Sequence, residues 1–130
     1  MSALGPMVFI VEQDEAVRAL LENLIESAKL KAVSFGSPKA FLEHLEPGAL
    51  GCVLLDIDLP DRSGLALAQR LAAEQPHLSI ILIAGRGDLI ATARANPGAM
   101  LGIFAKPFDV SALLNCVRRG LARQGFMCPG

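Results

Sequence analysis

Five short apolar segments alternate with five helical patterns along this chain, and that alternation constrains the fold more than any other feature. Apolar residues recur at helical spacing after each of the segments, which lie at residues 7–11, 31–35, 51–55, 79–83 and 100–105. The connections are short, so each helix has to cross back over the sheet and lead into a parallel strand. The pattern predicts an α/β fold with a five-stranded parallel sheet covered by helices on both faces.

Local signals refine this prediction. Ser37-Pro38 and Asp109 are typical helix starts, and Asp14 is expected to cap the first helix. Segment 79–83 is the most uniformly apolar and is predicted to be central in the sheet, whereas segment 31–35 alternates weakly and is predicted to be an edge strand.

Composition limits the class of protein. The chain has 130 residues, of which 52% are apolar and 19% charged, so one packed domain over residues 1–130 is expected, with a core at about 7–123 and a tail at 124–130. Twelve basic and 13 acidic residues give a net charge of -1, which provides no bulk attraction to nucleic acid or anionic membranes. There is no apolar run of roughly 20 residues and no basic n-region. Three cysteines without CxxC spacing predict a reduced, cytoplasmic protein.

Polar residues follow three of the predicted strands. Glu12, Gln13 and Asp14 follow the first, Asp56 to Asp58 the third, and Lys106-Pro107 the fifth. Ligands bind outside the carboxyl ends of strands in an open parallel sheet. Asp56 ends the apolar run Val53-Leu54-Leu55, so we expect it to lie where a buried strand opens into a site. Pro107 is a candidate for a cis peptide bond.

The order and spacing of these residues resemble a known family. They are similar to the receiver domain of two-component response regulators. The resemblance rests on the pattern Leu-Leu-Asp-x-x-x-Pro-x-x-x-Gly at 54–64, on the acidic residues after the first strand and on Lys106-Pro107-Phe108. The resemblance covers about residues 7–123 and implies a doubly wound, flavodoxin-like sheet with strand order 2-1-3-4-5. The Gly85-x-Gly87-Asp88 stretch is most similar to receivers that precede a DNA-binding output domain.

The resemblance also implies a mechanism without an enzyme's turnover. Asp56 would accept a phosphoryl group from a histidine kinase or a phosphotransfer protein, and Lys106 would pair first with Asp56 and then with the phosphoryl oxygens. Mg²⁺ would be held by Asp56, by the backbone carbonyl of Asp58 and by the cluster Glu12 and Gln13. The other implied partners are a downstream protein or output domain and a second copy of the chain, with neither nucleic acid nor membrane bound directly.

Four positions depart from the family pattern. Gln13 replaces an acidic residue that contacts the metal, which predicts weak Mg²⁺ binding. Ala84 replaces a Thr or Ser whose hydroxyl bonds the phosphoryl group, and Ile103 replaces an aromatic residue that moves inward on activation. Asn96-Pro97-Gly98 shortens the fourth helix, and together these changes predict atypical switch coupling.

Two other functions remain open from the sequence. The first is a pseudo-receiver that binds proteins without phosphorylation, which Gln13, Ala84 and Ile103 favour. The second is a phosphatase of the haloacid dehalogenase type, because Asp56-Ile57-Asp58 resembles its Asp-x-Asp nucleophile motif. That family carries the motif on its first strand and has Thr or Val where Pro60 stands here.

Overall fold

The computed structural model describes residues 7–58, 64–95, 97–98 and 100–122 of the chain. Its strands are β1 Met7–Val11, β2 Ala32–Phe35, β3 Gly51–Asp56, β4 Leu78–Ala84 and β5 Gly102–Ala105. Its helices are α1 Glu15–Ser27, α2 Pro38–His44, α3 Gly64–Glu74, α4 Gly87–Ala95 and α5 Val110–Leu121. Strands and helices alternate throughout, as the sequence predicts.

The five strands form one parallel sheet in the order β2-β1-β3-β4-β5. This confirms the predicted fold class, the flavodoxin-like strand order and the edge position of β2. Segment 79–83 is an internal strand, as predicted, because β4 lies between β3 and β5, and β3 is the middle strand. A uniformly apolar strand is one that is buried on both faces of the sheet. Both β3 and β4 have this property, and all six residues of β3 are buried.

Side chains of the inner strands alternate between two apolar layers. Val8 and Ile10 of β1 belong to the layer beneath α1 and α5, together with Ile25 and Leu113. The intervening residues of β1 face the opposite layer, which is covered by α2, α3 and α4 and has the fully buried Phe41 among its members. Helices therefore cover both faces of the sheet, which leaves the carboxyl edge of the strands to carry polar residues.

The helix starts agree with the cap predictions. Asp14 accepts hydrogen bonds from the N–H groups of Ala16 and Val17, and Ser37 and Asp109 cap α2 and α5 in the same way. Helix α4 ends at Ala95, in line with the expected early stop. The predicted tail at 124–130, Pro60 and Asn96 lie outside the described residues.

Gly64 explains the glycine of the Asp-x-x-x-Pro-x-x-x-Gly pattern. It begins α3, and a Cβ atom at this position would lie 2.8 Å from the Cα of Ile57. Any side chain would therefore collide with the backbone next to Asp56, so glycine lets the start of α3 pack directly against the site.

The structure also bears on the expected state of the cysteines and on the expected lack of a membrane-spanning segment. Cys52 is buried and free, but Cys116 is disulfide-bonded, so the prediction of three reduced cysteines is wrong for Cys116. Pairing depends on proximity in space, which the lack of CxxC spacing does not exclude. Within the described ranges, no helix is both long and apolar enough to cross a membrane.

Candidate functional site

The carboxyl ends of β1, β3 and β5 bring Glu12, Asp56, Asp58 and Lys106 into one cluster, here called the acidic cluster. The Nζ of Lys106 contacts Oδ2 of Asp56 and lies 3.4 Å from Oδ2 of Asp58 and 3.7 Å from Oε1 of Glu12. One ammonium group thus faces three carboxyl groups. The backbone N–H of Lys106 donates to the carbonyl of Ala84 at 2.9 Å, and the Lys106–Pro107 peptide is cis, as predicted.

Asp56 ends the middle strand and is only 5% exposed. Its Oδ1 accepts a hydrogen bond of 2.8 Å from the N–H of Asp58, while its Oδ2 contacts Lys106. The next residue is also held, because the N–H of Ile57 donates to the carbonyl of Ile83 at 2.9 Å. The Asp56 carboxylate therefore has a defined orientation on a rigid strand end.

Glu12 is the second buried acid of the cluster. Its Oε2 accepts from the N–H of Asp14 at 2.9 Å, whereas its buried Oε1 lacks a hydrogen-bond donor among the described residues. The pKa of Glu12 is raised to about 7, mainly by burial and also by a hydrogen bond to Asp56 and the negative charge of Asp56, while the Asp14 N–H and the Lys106 charge act in the opposite direction. Protonated Glu12 can share its proton with Asp56, but ionised Glu12 leaves Oε1 with only the Lys106 ammonium, at 3.7 Å, to offset its charge.

The free energy of unfolding should fall as the pH rises from about 4.5 to about 7 in metal-free buffer, because of the raised pKa of Glu12. Folded protein keeps the Glu12 proton in this window, whereas an unfolded chain with the ordinary pKa of 4.5 has lost it. At about 1.4 kcal/mol for each pKa unit, Glu12 lowers the free energy of unfolding by up to roughly 3 kcal/mol across the window.

Urea unfolding followed by far-UV circular dichroism with EDTA present measures this change, since the chain has no Trp or Tyr for fluorescence. The Glu12→Gln variant should lose most of the decline, while Glu43→Gln, at an exposed position of α2, should keep it. A wild-type stability that rises or stays level from pH 5 to pH 7 would contradict the assignment.

Lys106 is the cationic centre of the cluster. Partial burial of its side chain lowers its pKa, but the hydrogen bond to Asp56 and the charges of Asp56, Glu12 and Asp58 outweigh burial and raise the pKa above its ordinary value. Lys106 is therefore charged at neutral pH, so it supplies a positive charge beside Asp56.

Asp58 has contacts that the sequence did not reveal. Its Oδ2 accepts from the N–H of Gly85 at 2.6 Å, and its Oδ1 accepts from the N–H of Arg86 at 3.2 Å. Sequence reasoning assigned a role only to the backbone carbonyl of Asp58 and treated Gly85-Arg86-Gly87 as a plain loop. A signal was present, because N–H groups before a helix are common anion-binding donors and an acid follows the neighbouring strand.

Gln13 is not drawn into the acidic cluster. Its side chain is exposed, and its backbone carbonyl is 3.4 Å from the Arg18 guanidinium, which donates more closely, at 2.9 Å, to the carbonyl of Glu12. Asp14 caps α1, as expected, rather than joining the cluster. A ligand role for Gln13 remains a prediction.

The oxygens of the acidic cluster are of the type that binds Mg²⁺. Among the residues the structure describes, no group of three or more His, Cys, Asp or Glu side chains is arranged to hold a metal ion. The carboxyl groups of Glu12 and Asp56 nevertheless meet there, and Oε1 of Glu12, which accepts no hydrogen bond from the described residues, is a hard oxygen of the kind that Mg²⁺ prefers. One or two carboxylates suffice for an ion that keeps several waters, so Glu12 and Asp56 fit a weakly held Mg²⁺.

Buried apolar side chains occupy positions 84 and 103, where the family pattern has a hydroxyl and an aromatic residue. Ala84 ends β4 and is completely buried, and Ile103 of β5 is 6% exposed. Both belong to the apolar layer covered by α2, α3 and α4. Neither side chain offers a hydrogen-bonding group to the acidic cluster, so the site relies on backbone donors at the end of β4.

Known proteins resemble this chain in sequence. The family model of the response regulator receiver domain matches residues 8–118. Nodulation protein W of Bradyrhizobium diazoefficiens is 40% identical over 111 residues, which cover 85% of this chain and 49% of that protein. Response regulator protein TmoT of Ectopseudomonas mendocina is 35% identical over 115 residues, covering 88% and 52%. The chain spans about half the length of these curated relatives.

Solved structures resemble it in fold. Response regulator StyR superimposes with a TM-score of 0.80 at 36% sequence identity, covering 92% of this chain and 60% of that one. A CheY-like receiver domain protein from Methanospirillum hungatei has a TM-score of 0.78 at 20% identity and covers 92% and 95%, a likeness of fold alone. The family match spans every residue of the acidic cluster, and the chain belongs to the response regulator receiver domain family.

Proposed function

We propose that this receiver domain accepts a phosphoryl group on Asp56. The contact between the buried Asp56 carboxylate and the Lys106 ammonium carries the proposal. A carboxylate is a weak nucleophile towards an anionic phosphodonor unless cations offset the repulsion between them. Lys106 supplies one such cation at the attacking oxygen, and a domain without phosphate chemistry has no need of the pair.

The reaction forms an acyl phosphate. An Asp56 carboxylate oxygen attacks phosphorus, the bond between phosphorus and the donor atom breaks, and the donor takes the electron pair. With acetyl phosphate the leaving group is acetate, and with a phosphohistidine whose other ring nitrogen is protonated it is neutral imidazole. The Asp58 N–H on Oδ1 and the Lys106 ammonium hold Asp56 in place for this attack.

Mg²⁺ would be held by the carboxyl groups of Glu12 and Asp56 and by the backbone carbonyl of Asp58, with the Gln13 amide as a further donor. When bound, the ion neutralises charge on the transferring phosphoryl group. Ionised Glu12 gains a partner for Oε1 in this arrangement, so binding should strengthen as pH rises through 7. Without an acid at position 13 the affinity should be weak.

The wider assignments follow from family membership. We propose a histidine kinase or phosphotransfer protein as the phosphodonor, with a cytoplasmic location and no turnover of a separate substrate. The chain covers only about half the length of each of these curated relatives. We therefore propose that a downstream protein or an output domain receives the signal. A single domain over residues 1–130 and a homodimer remain predictions.

A second candidate is a pseudo-receiver that binds a protein partner without phosphorylation. Ala84 and Ile103 favour it, because both positions are occupied by buried apolar side chains that have no means of bonding a phosphoryl group. The exposed Gln13 points the same way, since it weakens the metal site that phosphorylation needs.

Incubation with acetyl phosphate and Mg²⁺, followed by intact-mass measurement, separates the two candidates. Phosphorylation predicts a mass gain of one phosphoryl group, which EDTA prevents and which slow hydrolysis reverses. Lack of any gain over a range of Mg²⁺ concentrations at pH 7 to 8 would refute the phosphoacceptor function and leave the pseudo-receiver.

A further inference from the structure

The Asp58 carboxylate occupies backbone donors beside the proposed phosphoacceptor. Both its oxygens accept hydrogen bonds from consecutive backbone N–H groups, those of Gly85 and Arg86, at 2.6 Å and 3.2 Å. These donors come immediately before α4, whose first turn is closed by the 3.1 Å bond from the Ile90 N–H to the Arg86 carbonyl. Consecutive N–H groups at a helix start form a favourable anion site, and here the anion is a side chain of the protein itself.

The same carboxylate also shares the cation of the site. Oδ2 of Asp58 lies 3.4 Å from the Lys106 Nζ that contacts Oδ2 of Asp56. The two carboxylate oxygens therefore lie on one ammonium group. A phosphoryl group bonded to Oδ2 of Asp56 would be attracted to the same ammonium, where it would compete with the Asp58 oxygen that contacts both Lys106 and the N–H of Gly85.

The end of β4 offers a phosphoryl group no side-chain donor that could replace the N–H of Gly85. Ala84 presents a buried methyl group, so the N–H of Gly85 is the next donor along the chain that a phosphoryl oxygen would meet. Two anions cannot both occupy that N–H and the adjoining ammonium without strong repulsion.

We propose that the Asp58 carboxylate is a built-in anion that occupies the Gly85 and Arg86 N–H groups in the resting domain and is displaced when Asp56 becomes phosphorylated. This proposal rests on the phosphoacceptor function of Asp56. The exchange of one anion for another on the same donors lets the end of β4 bind phosphate without the missing hydroxyl, and it releases the Asp58 side chain. Asp58 is thus a positioning residue that restrains phosphorylation in the resting state.

The resting-state contact is tested by NMR on ¹⁵N-labelled protein with EDTA present. Charge-assisted hydrogen bonds move amide protons downfield, so the Gly85 and Arg86 resonances should move upfield in Asp58→Ala. The control for the loss of charge is Asp14→Asn. It removes one negative charge near the cluster, as Asp58→Ala does, but at an exposed position, and Asn remains a good helix cap. Gly85 and Arg86 should move several times less in this control. Equal shifts in the two variants would overturn the proposed contact.

The displacement is tested by the rate of phosphorylation with acetyl phosphate and Mg²⁺. Losing a competing charged hydrogen bond should accelerate uptake by Asp58→Ala roughly tenfold, whereas Asp14→Asn should stay within about twofold of wild type. In phosphorylated wild type the Gly85 amide should remain downfield, while the carboxyl ¹³C resonance of Asp58 moves towards that of a solvated side chain.

The outcomes separate this proposal from the function on which it rests. If wild type and Asp58→Ala take up phosphate at equal rates, the displacement is wrong and the phosphoacceptor function stands. If wild type, Asp58→Ala and Asp14→Asn all fail to take up phosphate, both are overturned.

Discussion

Replacing Asp56 with Asn should abolish phosphoryl uptake from acetyl phosphate, with no phosphate-sized mass gain at any Mg²⁺ concentration. An amide oxygen cannot form the acyl phosphate, although Asn keeps the size of Asp and still accepts the Asp58 N–H. Removing the Asp56 charge should also lower the pKa of Glu12 from about 7, because the Asp56 hydrogen bond and charge are two of the effects that raise it. Intact-mass and pH-dependent unfolding measurements check the two effects.

Asp14→Asn is the matched control for this variant, since it makes the same chemical change at an exposed helix cap. It should take up phosphate like wild type. A mass gain that persists in Asp56→Asn would place the phosphoryl group on another residue and contradict the account, provided that circular dichroism shows both variants folded.

Replacing Lys106 with Met should slow phosphoryl uptake by about 10²-fold or more, the usual cost of removing a charge-stabilising group from a reaction centre. Met has a similar length but no charge, so the three carboxyl groups of the cluster lose the ammonium that they share. Stability should fall by roughly 1–3 kcal/mol at pH 8, between the values for exposed and buried ion pairs. The fall should be smaller at pH 5, where Glu12 is protonated.

Lys39→Met, at an exposed position of α2, makes the same change away from the site and should leave the rate unchanged. Single-turnover uptake measured by intact mass at saturating acetyl phosphate compares these proteins. A Lys106→Met rate equal to that of Lys39→Met would mean that the ammonium does not assist transfer.

Much of the fold was predictable, because apolar periodicity reports burial. The five alternations, the caps at Asp14, Ser37 and Asp109 and the edge position of β2 all follow from local patterns. The relative order of β3 and β4 did not, since both strands are buried on both faces and periodicity cannot distinguish two internal strands. The strand order came from the family resemblance.

The candidate site was predictable only in part. Polar residues at strand ends placed Glu12, Asp56 and Lys106 together, because the carboxyl ends of parallel strands share one edge. The side-chain role of Asp58 was missed, since its partners are backbone N–H groups, which every residue of a loop carries alike. The exposure of Gln13 depends on how the loop after β1 turns, which sequence spacing does not report.

The central claim is that Asp56 itself carries the phosphoryl group. Borohydride reduction tests it most directly, because hydride converts an aspartyl phosphate into homoserine, which peptide mass spectrometry locates. After acetyl phosphate and Mg²⁺ treatment, we predict homoserine at position 56, with Asp58 and Glu12 unreduced. Reduction at Asp58 or Glu12 instead, or an unreduced chain despite a phosphate-sized mass gain, would contradict the account.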